Sequence, residues 1–351
     1  MSRSRRSVLG SLAGGAVILT GCNSADETGA DPATDSSTPT VTFVSPTAES
    51  ASPTPTEPPD EIEEALRRSR EALETAVGRL DAAAVVEDGT VGFTSDDAFA
   101  EYAGVESRRA PIRDARERLD AVSDSASGAR QRAVNGLLFL CEYLETRATQ
   151  QDAVVDGFSA YYEVNRAFPG ELNLEQADHA VARMRTLGDH VQAAESLLDR
   201  IEPRADVFGV RGFAPESARE HQRTVRAIGR EFAPAFSGTR SMLRAVGLAS
   251  ATAPAIEREE YAQAERSAAA TVTAAENGVE STTTAFDRGV RHFRDAFEQD
   301  RCLTTGLQPV GERYAASARA FRAGDRERGR ERYRAAKEAL AATEADCGIE
   351  L

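Results

Sequence analysis

The sequence predicts an all-α protein: an elongated helical bundle with two long helices and a C-terminal helical hairpin. Three observations predict it. Beyond residue 59 apolar residues recur every three or four positions in stretch after stretch, the spacing of a buried helix face. Two of these stretches, 126–168 and 261–300, are each about 40 residues long, far beyond the usual 11 or 12. The alternation of strands and helices that marks an α/β fold is missing.

Residues 1–21 read as an export signal. Arg3, Arg5 and Arg6 precede an apolar run from Val8 to Thr20, and 13 residues are too few for the ~20 that a helix needs to cross a bilayer. Residues 22–59 read as a disordered tether. Positions 23–59 hold 14 Ser or Thr, 7 Pro, 6 acids and no basic residue, a composition that cannot bury a core. Its reach would be roughly 35 Å as a flexible coil and about 115 Å drawn out like polyproline. The chain lacks an Asn-x-Ser/Thr sequon, although its Ser and Thr offer other sites for sugars.

Ser4-Arg5-Arg6-Ser7-Val8-Leu9 resembles the twin-arginine motif, and Leu19-Thr20-Gly21-Cys22 resembles a lipobox. Together they imply export of a folded protein, cleavage before Cys22, and lipid on that cysteine. Two lipid chains hold a protein stably on a membrane where one does so only marginally. The expected address is therefore the outer face of the cell membrane, with the membrane as a partner through the lipid on Cys22.

The folded part is expected over 60–351. Pro58-Pro59 is followed by Asp60, placed to cap a helix, and by Glu61, Glu63 and Glu64 in its favourable first turn. Ile62, Leu66, Leu73, Val77 and Leu80 fall on one face of that helix. "VVEDGTVGF" reads as a small hairpin or an irregular link. Residues 95–122 read as helix with a break near Pro111. The pattern from Val134 through Cys141 to Tyr162 then continues to Pro169-Gly170, with Gly157 placed to bend it. Leu174, Ala177, Val181, Met184, Val191, Ala194, Leu198 and Ile201 form the next apolar face, which Pro203 closes.

The loop "RADVFGVRGFAP" is read as a partner contact or a plug over one end of the bundle. It leads to a helix from 215 to about 233, broken at Pro234 and resumed to about 251. The pattern from Tyr261 to Phe297 predicts one helix of roughly 60 Å. The last two helices, 308–323 and 325–345, hinge at Gly324-Asp325. Their return brings Cys347 toward Cys302, so these two cysteines are the expected disulfide; an exported chain can keep one. Cys141, within "LLFLCEYL", reads as an inert core residue.

The formal charge is -15, or -18 without the three signal arginines, which makes nucleic acid a poor partner. Of 42 Lys plus Arg only Lys337 is lysine. An acid excess with almost no lysine resembles proteins of extreme halophiles, in which dense salt screens the self-repulsion of the compact state.

Candidate chemistry is sparse. No Gly-x-Ser-x-Gly, Cys-x-x-Cys or His-Glu-x-x-His occurs, so neither an enzyme nor a cofactor is expected. Asp178-His179 and Asp189-His190 lie three turns apart on one helix face, with Glu175 and Glu195 nearby, and offer nitrogen and oxygen ligands to a metal. The two histidines stand about 16 Å apart along the axis, so one ion cannot touch both. Gly188-Asp189-His190 resembles the Gly-x-His-x-x-Glu signature of imelysin-like helical lipoproteins, with Ala193 in place of the Glu; that resemblance implies a role in iron uptake. "GDRERGRERYRAAKEAL" resembles the second helix of a tetratricopeptide unit, with Gly329, Tyr333 and Ala336 at small-aromatic-small spacing, and is read as ordinary helix packing. The expectation is a surface-anchored binding or scaffold protein with a protein partner at the cell surface.

The halophile resemblance has a direct test. Circular dichroism at 222 nm should show loss of helix when multimolar KCl is diluted away; helix content that is flat across the dilution would remove the argument.

Overall fold

The computed structural model describes residues 60–82, 86–87, 90–91, 105–204, 209–291 and 293–351. The expected export segment with Arg5 and Arg6, the expected tether with Cys22, residues 95–104 of the expected second helix and the pair Val207-Phe208 lie outside them. Among the described residues the fold is all-α, with eight helices: α1 (Glu61–Ala82), α2 (Val105–Ser123), α3 (Gly128–Ala167), α4 (Leu174–Ile201), α5 (Pro215–Glu257), α6 (Tyr261–Asp287), α7 (Arg294–Arg322) and α8 (Arg326–Cys347). A 3-10 turn, Glu202–Arg204, follows α4. Between α1 and α2 the short strands Val86–Glu87 (β1) and Thr90–Val91 (β2) pair antiparallel, Val86 opposite Val91, so this link is a hairpin. None of the described helices is long and apolar enough to cross a membrane.

The start of α1 matches its sequence signals. Asp60 Oδ1 accepts the Ile62 N–H at 3.0 Å, three acids occupy the first turn, and Leu66, Leu73, Val77 and Leu80 are buried. In α4 the expected apolar face is buried except for Leu174, which is 38% exposed.

Four hydrophobic clusters succeed one another along the bundle. In the first, α1, α2, the N-terminal half of α3 and the end of α4 enclose Leu73, Ile112, Leu137 and Leu198. Next comes an aromatic cluster with Phe158, Tyr161, Phe232, Phe236 and Phe297. The third holds Phe168, Met242 and Leu307; the fourth holds Ile256, Ala264, Tyr314 and Ala336. Helix α5 contributes to all four, through Ala218, Phe232, Met242 and Ile256 in turn. At 43 residues it extends about 65 Å.

Several helix ends differ from the sequence reading. Helix α2 does not break at Pro111. Nor does α5 break at Pro234; it runs unbroken to Glu257. An internal proline leaves the carbonyl four residues earlier without its donor. In both helices an arginine supplies one: Arg79 donates to the Ser107 carbonyl, and Arg288 Nη1 donates to the Arg230 carbonyl at 3.0 Å. Helix α3 continues through Gly157 without interruption. That glycine is a packing contact, since a Cβ there would lie 2.3 Å from Met184 Cε of α4.

The expected single helix over 261–300 is two helices. Gly289, at φ 97°, ends α6. The Gly289 N–H bonds the Phe286 carbonyl at 3.0 Å and the Val290 N–H the Ala285 carbonyl at 3.1 Å, a Schellman cap with Val290 and Ala285 both buried. The chain then reverses, and α7 runs from Arg294 through Pro309 to Arg322, so no helix begins at 308.

Helix α8 returns along α7 after Gly324. Cys302 and Cys347 are joined by a disulfide, Cα–Cα 5.8 Å, and Ile349 beyond it is buried. Cys141 is a free, buried cysteine whose thiol burial pushes up to about 12.

Because the bridge closes 45 residues of chain, loop entropy predicts that changing both cysteines to Ala lowers stability by up to about 4 kcal/mol. Chemical denaturation of the two proteins in the same salt measures it; equal midpoints would show that the bridge does not constrain the unfolded chain.

Candidate functional site

The four residues that the sequence offers to a metal do not converge. Asp178, His179, Asp189 and His190 all lie on the outer side of α4. Asp178 forms an ion pair with Arg240 of α5. His179 Nε2 accepts from Arg183 Nε at 3.4 Å. Among the described residues no group of three or more His, Cys, Asp or Glu side chains is placed to hold a metal ion. Of the four, Asp178 is committed to an arginine of α5.

That arginine opens the site which the structure does build. Helices α5 and α6 are antiparallel and joined by a short link, and they approach closely: a Cβ on Gly238 would lie 2.7 Å from Thr282 Cγ2. Their outer surfaces leave a groove. One part, about 230 Å³, is lined by Arg240, Ser241 and Arg244 of α5 and by Thr273 and Asn277 of α6. One turn further along lies a second part of about 390 Å³. There Arg185 of α4, Ser237 of α5, and Glu280, Ser281 and Arg288 of α6 and its C-terminal cap form the lining.

The arginines of the groove differ in state. Arg288 is held by the Arg230 carbonyl that Pro234 frees. Arg185 Nη2 reaches Ser237 Oγ at 3.4 Å, whose own hydrogen goes to the Ala233 carbonyl at 2.8 Å. Arg240 is taken by Asp178. Arg244 is exposed and makes no ion pair or hydrogen bond to a described residue. Four guanidinium groups thus face two carboxylates, Asp178 and Glu280, in a protein of net charge -15. No periodic signal marked this face, because its residues are the polar ones between the apolar positions.

A second polar cluster is buried between the first two hydrophobic clusters. Gln150 and Gln222 exchange hydrogen bonds at 2.6 and 3.1 Å, and Gln222 Nε2 also reaches the Tyr143 hydroxyl at 3.4 Å. Gln151 donates to the Leu80 carbonyl at 2.9 Å and accepts from Arg108 at 3.3 Å. Arg109 pairs with Asp152 at 2.7 Å, yet burial still raises the Asp152 carboxyl. His221 Nε2 is sealed from water without a hydrogen-bond partner, and burial, reinforced by Arg147, brings its pKa down to about 3. Paired glutamines and a neutral histidine bind the helices here.

The loop after α4 also finds its place. Val210 is buried in the first cluster, Phe213 meets Tyr143 edge-on at 5.8 Å, and the Arg211 N–H and guanidinium bond Glu74 of α1. Its described part is a plug. The dense positive run on α8 has its six basic residues exposed, and Gly329 and Ala336 face α7. Comparison of the chain with protein-family models, with curated proteins and with solved structures yields no match.

The buried histidine sets a pH dependence. Its folded pKa, about 3, lies below the unfolded value near 6.5, so the unfolded chain takes up the proton first as the pH falls. Stability is therefore lost from about pH 6.5 downward, by about 2 kcal/mol between pH 7 and pH 5. Denaturation of the parent and of His221→Gln at both pH values should show this part of the slope only in the parent; parallel slopes would show that His221 is accessible to protons when folded.

Proposed function

We propose that this chain is an exported lipoprotein, anchored through Cys22, whose Ser/Thr/Pro tether presents a rigid helical bundle outside the cell as a binding or scaffold module without catalytic activity. The single observation that supports binding is the open α4–α5–α6 groove, with donors aligned along two adjacent turns. The arginine pair and export motif at 5–9 and the lipobox at 19–22 support the address. Polar contacts on a surface tens of ångströms long give specificity at little cost in stability, which suits a module that has to engage a partner reversibly.

A second reading, capture of a small ligand for an uptake system, draws on the same groove. Its metal-binding form has no support from Asp178, which Arg240 already engages.

One experiment tests the anchor and a second separates the two readings. Cys22→Ala should move the protein from the membrane pellet to the medium or soluble fraction, and a variant that stays in the pellet would end the anchor proposal. Crosslinking on intact cells in native salt, followed by pulldown and mass spectrometry, should give a recurrent stoichiometric protein partner. Its absence would count against the scaffold and in favour of ligand capture.

A further inference from the structure

We propose that the α4–α5–α6 groove is a binding site for an oxyanion, a phosphate or sulfate group on a hydrophilic ligand, and that the Asp178 carboxylate competes with it for Arg240. The proposal rests on the reading of the bundle as a binding module and gives that module its ligand class.

Charge is the first argument. The protein carries -15 overall, and most of its arginines in salt bridges face carboxylates on neighbouring helix turns or neighbouring helices. Arg244, like the exposed arginines of α8, is not in such a pair, but unlike them it lines a pocket beside a second arginine. It projects over the first part of the groove with no protein partner among the described residues. Arg240 stands one turn away on the same helix, so the two Cβ atoms are about 6 Å apart and both guanidinium groups can reach one tetrahedral anion.

Chemistry is the second. A guanidinium presents paired N–H groups in a fixed plane, which match the oxygens of carboxylate, sulfate and phosphate. Asp178 already satisfies Arg240 with such an oxyanion, supplied by the protein itself. Beside Arg240 and Arg244 stand Ser241 and Asn277, and beside Arg185 and Arg288 stands Ser281, with none of these three side chains hydrogen-bonded to a described residue. They are short donors suited to further oxygens of the same group or to hydroxyls beside it. The lining contains no aromatic ring for stacking a base or sugar, and its apolar residues, Ala270 and Ala274 in the first part and Ala233 and Pro234 in the second, offer an acyl chain only small side chains. In the second part of the groove Arg185 and Arg288 offer positive charge to another anionic group on the same ligand.

The competition by Asp178 gives the proposal opposite-signed consequences. Calorimetric titration of the full chain with sodium sulfate and with inorganic phosphate, at ionic strength held constant with chloride, should show saturable binding. Arg244→Gln should weaken it by about tenfold, the loss of one charge-assisted hydrogen-bonded contact. Asp178→Asn should tighten it several-fold, and Arg332→Gln on α8 should leave it unchanged. All three changes are at exposed side chains, and circular dichroism of each variant confirms the fold.

Binding that never saturates against chloride, or Arg244→Gln and Arg332→Gln behaving alike, would overturn the site. Tightening that is absent in Asp178→Asn would overturn the competition. Polyphosphate and dextran sulfate distinguish the sources: tighter binding than the inorganic ions assigns a polymer-borne group, and equal binding assigns the free ion, either one supporting the site. These isotherms do not depend on the lipid at Cys22, so the anchoring proposal and the ligand proposal fail separately.

Discussion

The bundle depends on α5 remaining one helix. It alone reaches all four hydrophobic clusters, and its middle contains Pro234. An interior proline costs a helix ~3 kcal/mol through the lost hydrogen bond and the ring's clash with the preceding turn. The Arg288 guanidinium, at the end of α6, donates to the carbonyl that Pro234 leaves open. That bond is exposed and so weakened by competing water, and burial of Phe232, Phe236 and Met242 on either side of the proline favours the continuous helix. Arg79 serves Pro111 in α2 in the same way. In each of these two helices an arginine from a neighbouring helix thus satisfies a carbonyl that an internal proline leaves open.

Packing changes character along that spine. Around Phe158 the rings crowd together, with Phe232 at 4.8 Å and Phe236 at 5.3 Å, and Tyr161 stacks on Phe236 at 4.6 Å. Toward the C-terminal end the core is richer in alanine, as at Ala264, Ala268, Ala275 and Ala318, among larger residues such as Leu307 and Tyr314. Small residues let α5, α6 and α7 approach closely, so less side-chain volume separates their outer faces and shallow grooves form between them. The groove with Arg240 and Arg244 is a product of that approach. Its position on rigid, closely packed helices fixes the spacing of its donors.

The buried polar layer around Gln150 and Gln222 plays a different part. Both side chains are fully buried and satisfy each other across α3 and α5. A sliding of one helix along the other by one turn would leave amide groups in an apolar core, at about 1–3 kcal/mol for each unsatisfied group. The layer therefore fixes the register between the first two clusters, and the neutral His221 beside it shows how strongly the surroundings there oppose charge.

The sequence by itself determined the helical class, the buried faces and the cap at Asp60, because these are local: an apolar residue every third or fourth position says which side of a helix is inward, whatever that side meets. It also brought Cys302 and Cys347 toward each other through the hairpin hinge at Gly324. The helix ends needed more. Pro111 and Pro234 read as breaks until Arg79 and Arg288 were placed beside the open carbonyls, and the apolar period through Val290 and Phe293 concealed the turn at Gly289. The eleven-residue spacing put His179 and His190 on one side of α4, but only the tertiary structure put Arg240 against Asp178. Local spacing reports which residues lie on one side of one helix. Which donor meets which acceptor across helices is decided by the packing of the whole chain, and both the continuity of α5 and the chemistry of the groove are interactions of that kind.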